Sequence, residues 1–340
     1  MEPEKQKKVK VDAASELRQD IVTGDWVVIA TGRAKRPDEF KAAHDEELNP
    51  SFSGCPFCDP EIEKQEKPTL IYYREDGKWS LRVFPNKYPA FARGKKIRHT
   101  EEGPYFSMDG VGYHELIVTR DHERGLSVLL KEEVAEVLDA FRTRYLDLMA
   151  KKSVNYIMFI ENHGKKAGAS LAHPHWQMFA IPVISPGISF EIEGARLYKR
   201  SSRHCVYCTL IEWELSHGKR VVAENDSFVA IAPFASRRAF EVWILPKKHQ
   251  PYFERITEEE EFLAGDILKA VAAAYHEKLD DIPYNMYLHT SPCDGKDYSF
   301  FHWHIELLPK SSVWAGFELG TGIEISTIRP EDAAEFLRAG

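Results

Sequence analysis

The stretch Ala172-His173-Pro174-His175-Trp176-Gln177-Met178-Phe179-Ala180-Ile181 decides how this chain is read, because its pattern occurs twice. Phe301-His302-Trp303-His304-Ile305-Glu306-Leu307-Leu308 is the second copy. Each copy reads as a β-strand, and on a strand alternate side chains face opposite ways. His173, His175 and Gln177 then share one face, with Trp176 and the flanking apolar residues on the other. Polar groups on one face of an apolar strand are costly to bury unless satisfied. A lone histidine in such a place is more often a hydrogen-bonded core residue than a reactive one. Two copies, each with a cysteine pair upstream, weigh against that bland reading.

Working outward, the parts around each copy agree in order. Cys55-Pro-Phe-Cys58 is matched by Cys205-Val-Tyr-Cys208. Tyr113-His-Glu-Leu-Ile-Val-Thr-Arg-Asp-His122 is matched by Phe240-Glu-Val-Trp-Ile-Leu-Pro-Lys-Lys-His249, each an alternating strand that ends in His. A helix follows in both, over 131–151 with Val134, Val137, Leu138, Phe141, Tyr145 and Leu148 at helical spacing, and over 258–279 with Phe262, Leu263, Ile267, Val271 and Tyr275. Thr257 and Glu260 form a capping-box pattern at the start of the second helix. Further strands at 155–161 and 285–289, each with a glycine-bearing turn, lead to the two His-rich strands. The period, roughly 125 to 150 residues, is that of a duplicated domain, not a solenoid. We expect an α+β fold of two tandem units, each an antiparallel sheet with a packed helix. A disordered tail is expected over 1–14, an N-terminal unit over 15–190 and a C-terminal unit over 191–340. The boundary lies in a stretch around 186–203 without clear period.

Composition limits the function. Lys and Arg number 45 against 53 Asp and Glu, a formal charge of −8, so no broad basic field gathers nucleic acid or an anionic membrane. No run of 18 apolar residues suggests a membrane span. The Lys- and Glu-rich start, 1–10, lacks the apolar core of a secretory signal, and the expected location is the cytoplasm. In that compartment the two Cys-x-x-Cys pairs favour metal or redox chemistry over a disulfide framework. No thioredoxin-like context accompanies them, and Cys293 stands alone as a loop cysteine.

The His-rich strand suits phosphoryl chemistry. Neutral imidazole is nucleophilic near neutral pH and leaves phosphorus readily, so it divides one transfer into two steps. The polar turn Glu161-Asn162-His163-Gly164-Lys165-Lys166-Ala167-Gly168-Ala169-Ser170 directly precedes it. Such a turn offers N–H, amide and hydroxyl donors to phosphate oxygens.

With these residues in hand, the chain resembles the galactose-1-phosphate uridylyltransferases of the histidine-triad superfamily, over nearly its whole length. The run His173-Pro174-His175-Trp176-Gln177 matches that family's His-Pro-His-x-Gln, where the triad hydrolases carry a third His. The resemblance implies a double displacement in which His175 attacks the α-phosphorus of a nucleotide sugar and a sugar 1-phosphate then accepts the nucleotidyl group. It implies that Gln177 hydrogen-bonds the phosphoryl oxygen and that Asn162 and Ser170 contact phosphate. Arg33 and Arg36, in Gly32-Arg33-Ala34-Lys35-Arg36-Pro37, would hold phosphates as well. Asn86, in Phe84-Pro85-Asn86, would meet the nucleoside, and Glu318, in Gly316-Phe317-Glu318, the sugar hydroxyls. One departure is Ser312, where some members carry a lysine.

The resemblance also implies a structural zinc on Cys55, Cys58, His122 and His173, a donor set that suits tetrahedral zinc. The repeat extends this to a second zinc on Cys205, Cys208, His249 and His302. Some family members use an iron-type site of one Glu and three His instead, and Glu191, His289, His302 and His304 offer that reading. A homodimer is implied too. His304 holds the place of His175 in the second copy, but Glu306 replaces the Gln, so one nucleophile per chain is expected. Uridylyl transfer between UDP-glucose and galactose 1-phosphate stands first among the functions. Adenylyl transfer, as in ADP-glucose phosphorylase, stands second, and a non-catalytic zinc-stabilised nucleotide-binding module third.

Overall fold

The computed structural model describes residues 15–33, 51–94 and 96–338. In chain order its strands are β1 (Glu16–Gln19), β2 (Trp26–Ile29), β3 (Leu70–Tyr73), β4 (Trp79–Pro85), β5 (His99–Glu102), β6 (Tyr105–Met108), β7 (Tyr113–Thr119) and β8 (Tyr156–His163). They continue as β9 (His175–Ile181), β10 (Val221–Glu224), β11 (Phe228–Ile231), β12 (Val242–Pro246), β13 (Tyr284–His289), β14 (His304–Pro309) and β15 (Glu324–Ser326). The α-helices are α1 (Lys131–Met149), α2 (Pro186–Ser202), α3 (Val206–His217), α4 (Glu258–Lys278), α5 (Gly316–Thr321) and α6 (Pro330–Arg338). None of the described helices is long and apolar enough to cross a membrane.

Ten strands form one antiparallel sheet in the order β10-β11-β12-β14-β13-β8-β9-β7-β4-β3. Outward from the central β8–β13 pair, one wing runs β9, β7, β4, β3 and the other β14, β12, β11, β10. The duplication is thus visible as a palindrome of strands. At the seam Asn162 lies opposite Asn285 and Ile160 opposite Tyr287. The α+β class is as expected, but the two sheets are fused across this seam into a single one.

One face of the sheet is covered by α1 and α4. Both helices carry an apolar stripe at helical spacing, Val134, Val137, Leu138, Phe141, Tyr145 and Leu148 on α1, and Ala264, Ile267, Leu268, Val271, Ala272 and Tyr275 on α4. These pack on Val83, Ile117, Trp176, Met178, Phe159, Met286, Ile305 and Val242 in one buried cluster that spans both wings. Each fully buried Val, Leu, Ile, Phe or Met among them contributes about 1.5–3 kcal/mol of burial. The helices also touch each other closely: a Cβ at Gly265 would lie 2.8 Å from the Lys131 carbonyl oxygen. The Thr257–Glu260 capping box starts α4 as the sequence suggests.

Two expectations change. The segment 186–203 is helical, not irregular: Pro186 begins α2, and Ile188, Glu191 and Ala195 form its narrow buried stripe. Its many polar residues hid that stripe in the sequence. The His-rich strands β9 and β14 begin at His175 and His304, not at Ala172 and Phe301. His173 and His302 both stand in the preceding loop, followed by Pro174 and Trp303 respectively, and their rings need not follow the strand's alternation.

Candidate active site and metal centres

The face of the sheet away from α1 and α4 carries the polar residues. The β7–β9 register pairs Val118 with His175 and Leu116 with Gln177, so these four share that face. The β8–β9 register pairs Ile160 with Gln177, which puts Asn162, two residues on, on the same face beside His175.

His175 is 9% exposed. Its Nδ1–H donates to the carbonyl of His173 at 2.9 Å, which leaves Nε2 with the lone pair. Burial holds its pKa below the ordinary histidine value, against the hydrogen bond to His173. Gln177 accepts at Oε1 from His114 Nε2, 3.0 Å away. Asn162 accepts at Oδ1 from Asn285 of the other wing at 2.7 Å. The turn after β8 passes through Gly164 and Gly168, both at positive φ (79° and 94°), a conformation that L side chains rarely adopt. A Cβ on Gly168 would lie 3.9 Å from Nδ2 of Asn162, so that amide faces the turn. Ser170 is exposed in the same turn. Asn86, just past β4, donates its backbone N–H to the His114 carbonyl, and its Oδ1 accepts from the Tyr88 N–H.

The structure thus gathers His175, Gln177, Asn162 and Asn86 around the β7–β9 face. Glu318 is engaged elsewhere: its carboxylate accepts from the Ala315 N–H and caps α5. The hydroxyl of Ser312 accepts from Arg238, so a cation stands beside the position where a lysine is missing. Arg33 ends a short 3-10 turn, Thr31–Arg33, and Arg36 lies outside the described residues.

Cys55, Cys58, His122 and His173 bring their ligand atoms within 4.8 Å of one another, and so do Cys205, Cys208, His249 and His302. Tetrahedral zinc, with Zn–S of about 2.3 Å and Zn–N of about 2.1 Å, sets sulfur and nitrogen about 3.6 Å apart. In the first set the Sγ–Nδ1 distances are 3.6, 3.2 and 3.4 Å, and in the second 4.0, 3.4 and 3.7 Å. His173 Nε2–H donates to the Thr119 carbonyl at 2.7 Å, and His302 Nε2–H to the Pro246 carbonyl at 2.9 Å. Such bonds direct Nδ1 at the centre of each set. Both sets therefore suit zinc. The first is tied to His175 through Phe57 of the Cys55–Cys58 loop, whose ring lies edge-on to His173 (5.7 Å) and His175 (5.4 Å).

A third cluster joins Glu191, His289, His304 and Glu306. It revises the iron-type reading: His302 belongs to the cysteine set, and Glu306 stands in its place. His289 Nδ1 lies 3.1 Å from Glu191. Arg237 pairs with both Glu306 and Glu241. Burial pushes the Glu306 carboxyl up, but Arg237 and His289 outweigh it and hold the group below the ordinary range. His304 donates Nδ1–H to the His302 carbonyl at 3.1 Å, as His175 does to His173, and Tyr207 takes the part of Phe57, 5.0 Å from its ring.

Sequence reasoning passed over three residues at the site: His114, Asn285 and Phe57. All three stand in segments recognised as strands or metal loops. Parity along β7 puts His114 on the same face as Val118, but only the register with β9 brings it to Gln177.

Comparison with known proteins follows this geometry. Residues 4–185 match the family model "Galactose-1-phosphate uridyl transferase, N-terminal domain", and residues 126–338 match a domain of unknown function, DUF4921. The chain is 35% identical to an ADP-glucose phosphorylase of Arabidopsis thaliana, over 95% of this chain and 92% of that protein. It is 32% identical to a galactose-1-phosphate uridylyltransferase of Thermotoga maritima, over 95% and 98%. A crystal structure of an Arabidopsis thaliana ADP-glucose phosphorylase with bound ADP-glucose is similar at a TM-score of 0.82 and 31% identity, covering 96% of this chain and 99% of that one.

Proposed function

The chain belongs to the galactose-1-phosphate uridylyltransferase family and is a nucleotidyltransferase, and from that premise we propose that it works by double displacement through His175. The observation that supports this reading is the state of that ring. Nδ1–H is committed to the His173 carbonyl, so the ring presents a neutral Nε2 lone pair. In the first step Nε2 attacks the α-phosphorus of a nucleotide sugar. The N–P bond forms, the bond to the bridging oxygen breaks, and a sugar 1-phosphate leaves with that electron pair. In the second step a phosphate oxygen of the acceptor attacks the same phosphorus and His175 leaves. The His175 Nδ1–H bond to the carbonyl persists and spreads the positive charge of the phosphorylated ring.

Gln177, Asn162 and Ser170 are the donors we assign to the phosphoryl oxygens, with Arg33 and Arg36 as further phosphate contacts. Asn86 is assigned to the nucleoside and Glu318 to sugar hydroxyls, the latter in a homodimer where one copy completes the other's site. Zinc on Cys55, Cys58, His122 and His173 would brace the loop that enters β9. A second zinc on Cys205, Cys208, His249 and His302 would brace the opposite wing. Neither takes part in a bond-making step.

Uridylyl transfer between UDP-glucose and galactose 1-phosphate is the family reaction and our first reading. Adenylyl transfer from ADP-glucose is favoured by a specific observation, the 35% identity to a phosphorylase of that name. Incubation with each nucleotide sugar separately, followed by intact-protein mass spectrometry, distinguishes them. A uridylate adduct lost in His175→Asn supports the first reading and an adenylate adduct alone the second. No adduct with either, together with slow turnover unaffected by His175→Asn, overturns both.

A further inference from the structure

We propose that His114 and Asn285 are positioning residues that set the direction of the two amides, Gln177 and Asn162, so that both present NH2 to the phosphate carried by His175. The inference rests on the nucleotidyl-transfer reading of the site and adds two residues to it.

Beside His114 stands a donor that cannot change. The backbone N–H of Ala90 points at His114 Nδ1 from 3.3 Å, so Nδ1 holds the lone pair and Nε2 the proton. Nε2–H then donates to Gln177 across 3.0 Å, and the Gln177 atom that receives it must be the oxygen. A reversed amide would set N–H against N–H. Asn86 keeps its Oδ1 on the Tyr88 N–H; its Nδ2 lies 3.1 Å from Nε2 and 3.5 Å from Nδ1, and as a donor it finds an acceptor on this ring only at Nδ1, the nitrogen Ala90 also faces. The His114 ring is buried and stacked on Phe179, 4.1 Å away at 26°, and does not turn freely.

Asn285 acts by the same logic from the other wing. Its Nδ2 donates to the Ala167 carbonyl at 2.7 Å, an acceptor only, which identifies that atom as nitrogen. The same Nδ2 donates to Asn162 Oδ1 at 2.7 Å. Both amide oxygens are thereby occupied, and the free NH2 of Asn162 faces the Gly168 turn. An amide free to flip would present its oxygen, which repels a phosphate, for part of the time. Fixed donors aimed at developing charge avoid that reorganisation.

The test is the single-turnover rate of adduct formation with UDP-glucose and with ADP-glucose, alongside melting temperature and metal content. His114→Ala is expected to slow the adduct about 10- to 100-fold with Gln177 intact, part of the loss seen when an oxyanion donor is removed. In a Gln177→Ala background the same substitution is expected to change the rate by less than about twofold, because coupled residues are non-additive. His114→Gln, whose Nε2 reaches the place of the ring Nε2, is expected to recover most of the rate. Asn285→Asp, which replaces the donor by an acceptor, is expected to slow the adduct more than Asn285→Ala. Equal losses in both backgrounds, or a normal rate in His114→Ala, overturn this inference alone. If His114→Ala does not fold, His114→Gln against His114→Glu decides: equal rates overturn it. Absence of an adduct on the unmodified protein overturns the transfer reading and this inference with it.

Discussion

His175 and His304 stand at matching points in the two wings, each bonded through Nδ1 to the carbonyl two residues before it. Their surroundings differ. His175 retains 9% of its surface, whereas His304 is enclosed by Trp243, Tyr207 and Phe301, and among the described residues its Nε2 has no hydrogen-bond partner. Beside His175 stands the amide Gln177, held by neutral His114. Beside His304 stands the carboxylate Glu306, held by Arg237, with Glu191 3.8 Å from Nε2 on the other side. An amide can donate to a phosphate and a carboxylate cannot. On the proposed transfer reading a well-placed imidazole is not enough: the chemistry needs access and donors around it, and the second wing has a buried ionic cluster in their place.

The largest test of this contrast is the histidine pair itself. His175→Asn should lower adduct formation and turnover by about 10⁴-fold or more, while His304→Asn leaves the rate within about twofold. Equal losses measured by rapid quench would break the comparison. Next come the metals. Cys58→Ala and Cys208→Ala should each cost one equivalent of zinc by elemental analysis and lower the melting temperature. Only Cys58→Ala should also slow transfer, by about 10- to 100-fold, because only the first set reaches the nucleophile through Phe57.

The ionic cluster gives a smaller effect. Arg237→Met leaves Glu241 and Glu306 buried without their cation, at a cost of about 2–3 kcal/mol by urea unfolding, below the roughly 3–5 kcal/mol of a fully buried pair because Arg237 is itself partly exposed. Transfer at His175 should persist, and Glu306→Gln in that background should restore part of the stability. The smallest effect concerns the two helices. Glu133 in α1 and Glu260 in α4 each accept from the backbone N–H that precedes the helix, and the next position is buried Val134 in α1 and buried Glu261 in α4. Burial pushes the Glu261 carboxyl up to about 7. A raised folded-state value means that the folded chain binds the proton more tightly. Its contribution is therefore complete below the unfolded value near 4.5 and is lost as pH rises through about 7. Glu261→Val should thus stabilise by about 1–2 kcal/mol at pH 8 and by less at pH 5. A pH-independent difference in melting temperature would refute the assignment.

Much of this was legible in the sequence. The Cys pairs, the strand histidines and the His-rich strands each carry residue types whose chemistry is local, and their repetition disclosed the duplication. The helices α1 and α4 were legible from the spacing of apolar residues, which is a property of the helix alone. The register was not. Which residue of β7 reaches Gln177, and that Asn285 of one wing meets Asn162 of the other, depends on strand pairing between segments far apart in the chain. Segment 186–203 was misread because a stripe of three buried residues is too narrow to show against its polar neighbours. His173, like His302 in the other wing, lies just outside the strand that the alternating pattern extends to it, because regular ladder pairing begins only two residues later.

The order of residues already carries the duplication, a Cys₂His₂ inventory in each half, and the contrast between Gln177 after His175 and Glu306 after His304. It takes the folded chain to join the halves in one sheet, to set His302 beside the cysteines and Glu306 beside Glu191, His289 and His304, and to bring His114 to Gln177 and Asn285 to Asn162. The physical reason is that residue type fixes what a group can do, whereas hydrogen-bond direction and burial depend on partners the chain brings together only when folded.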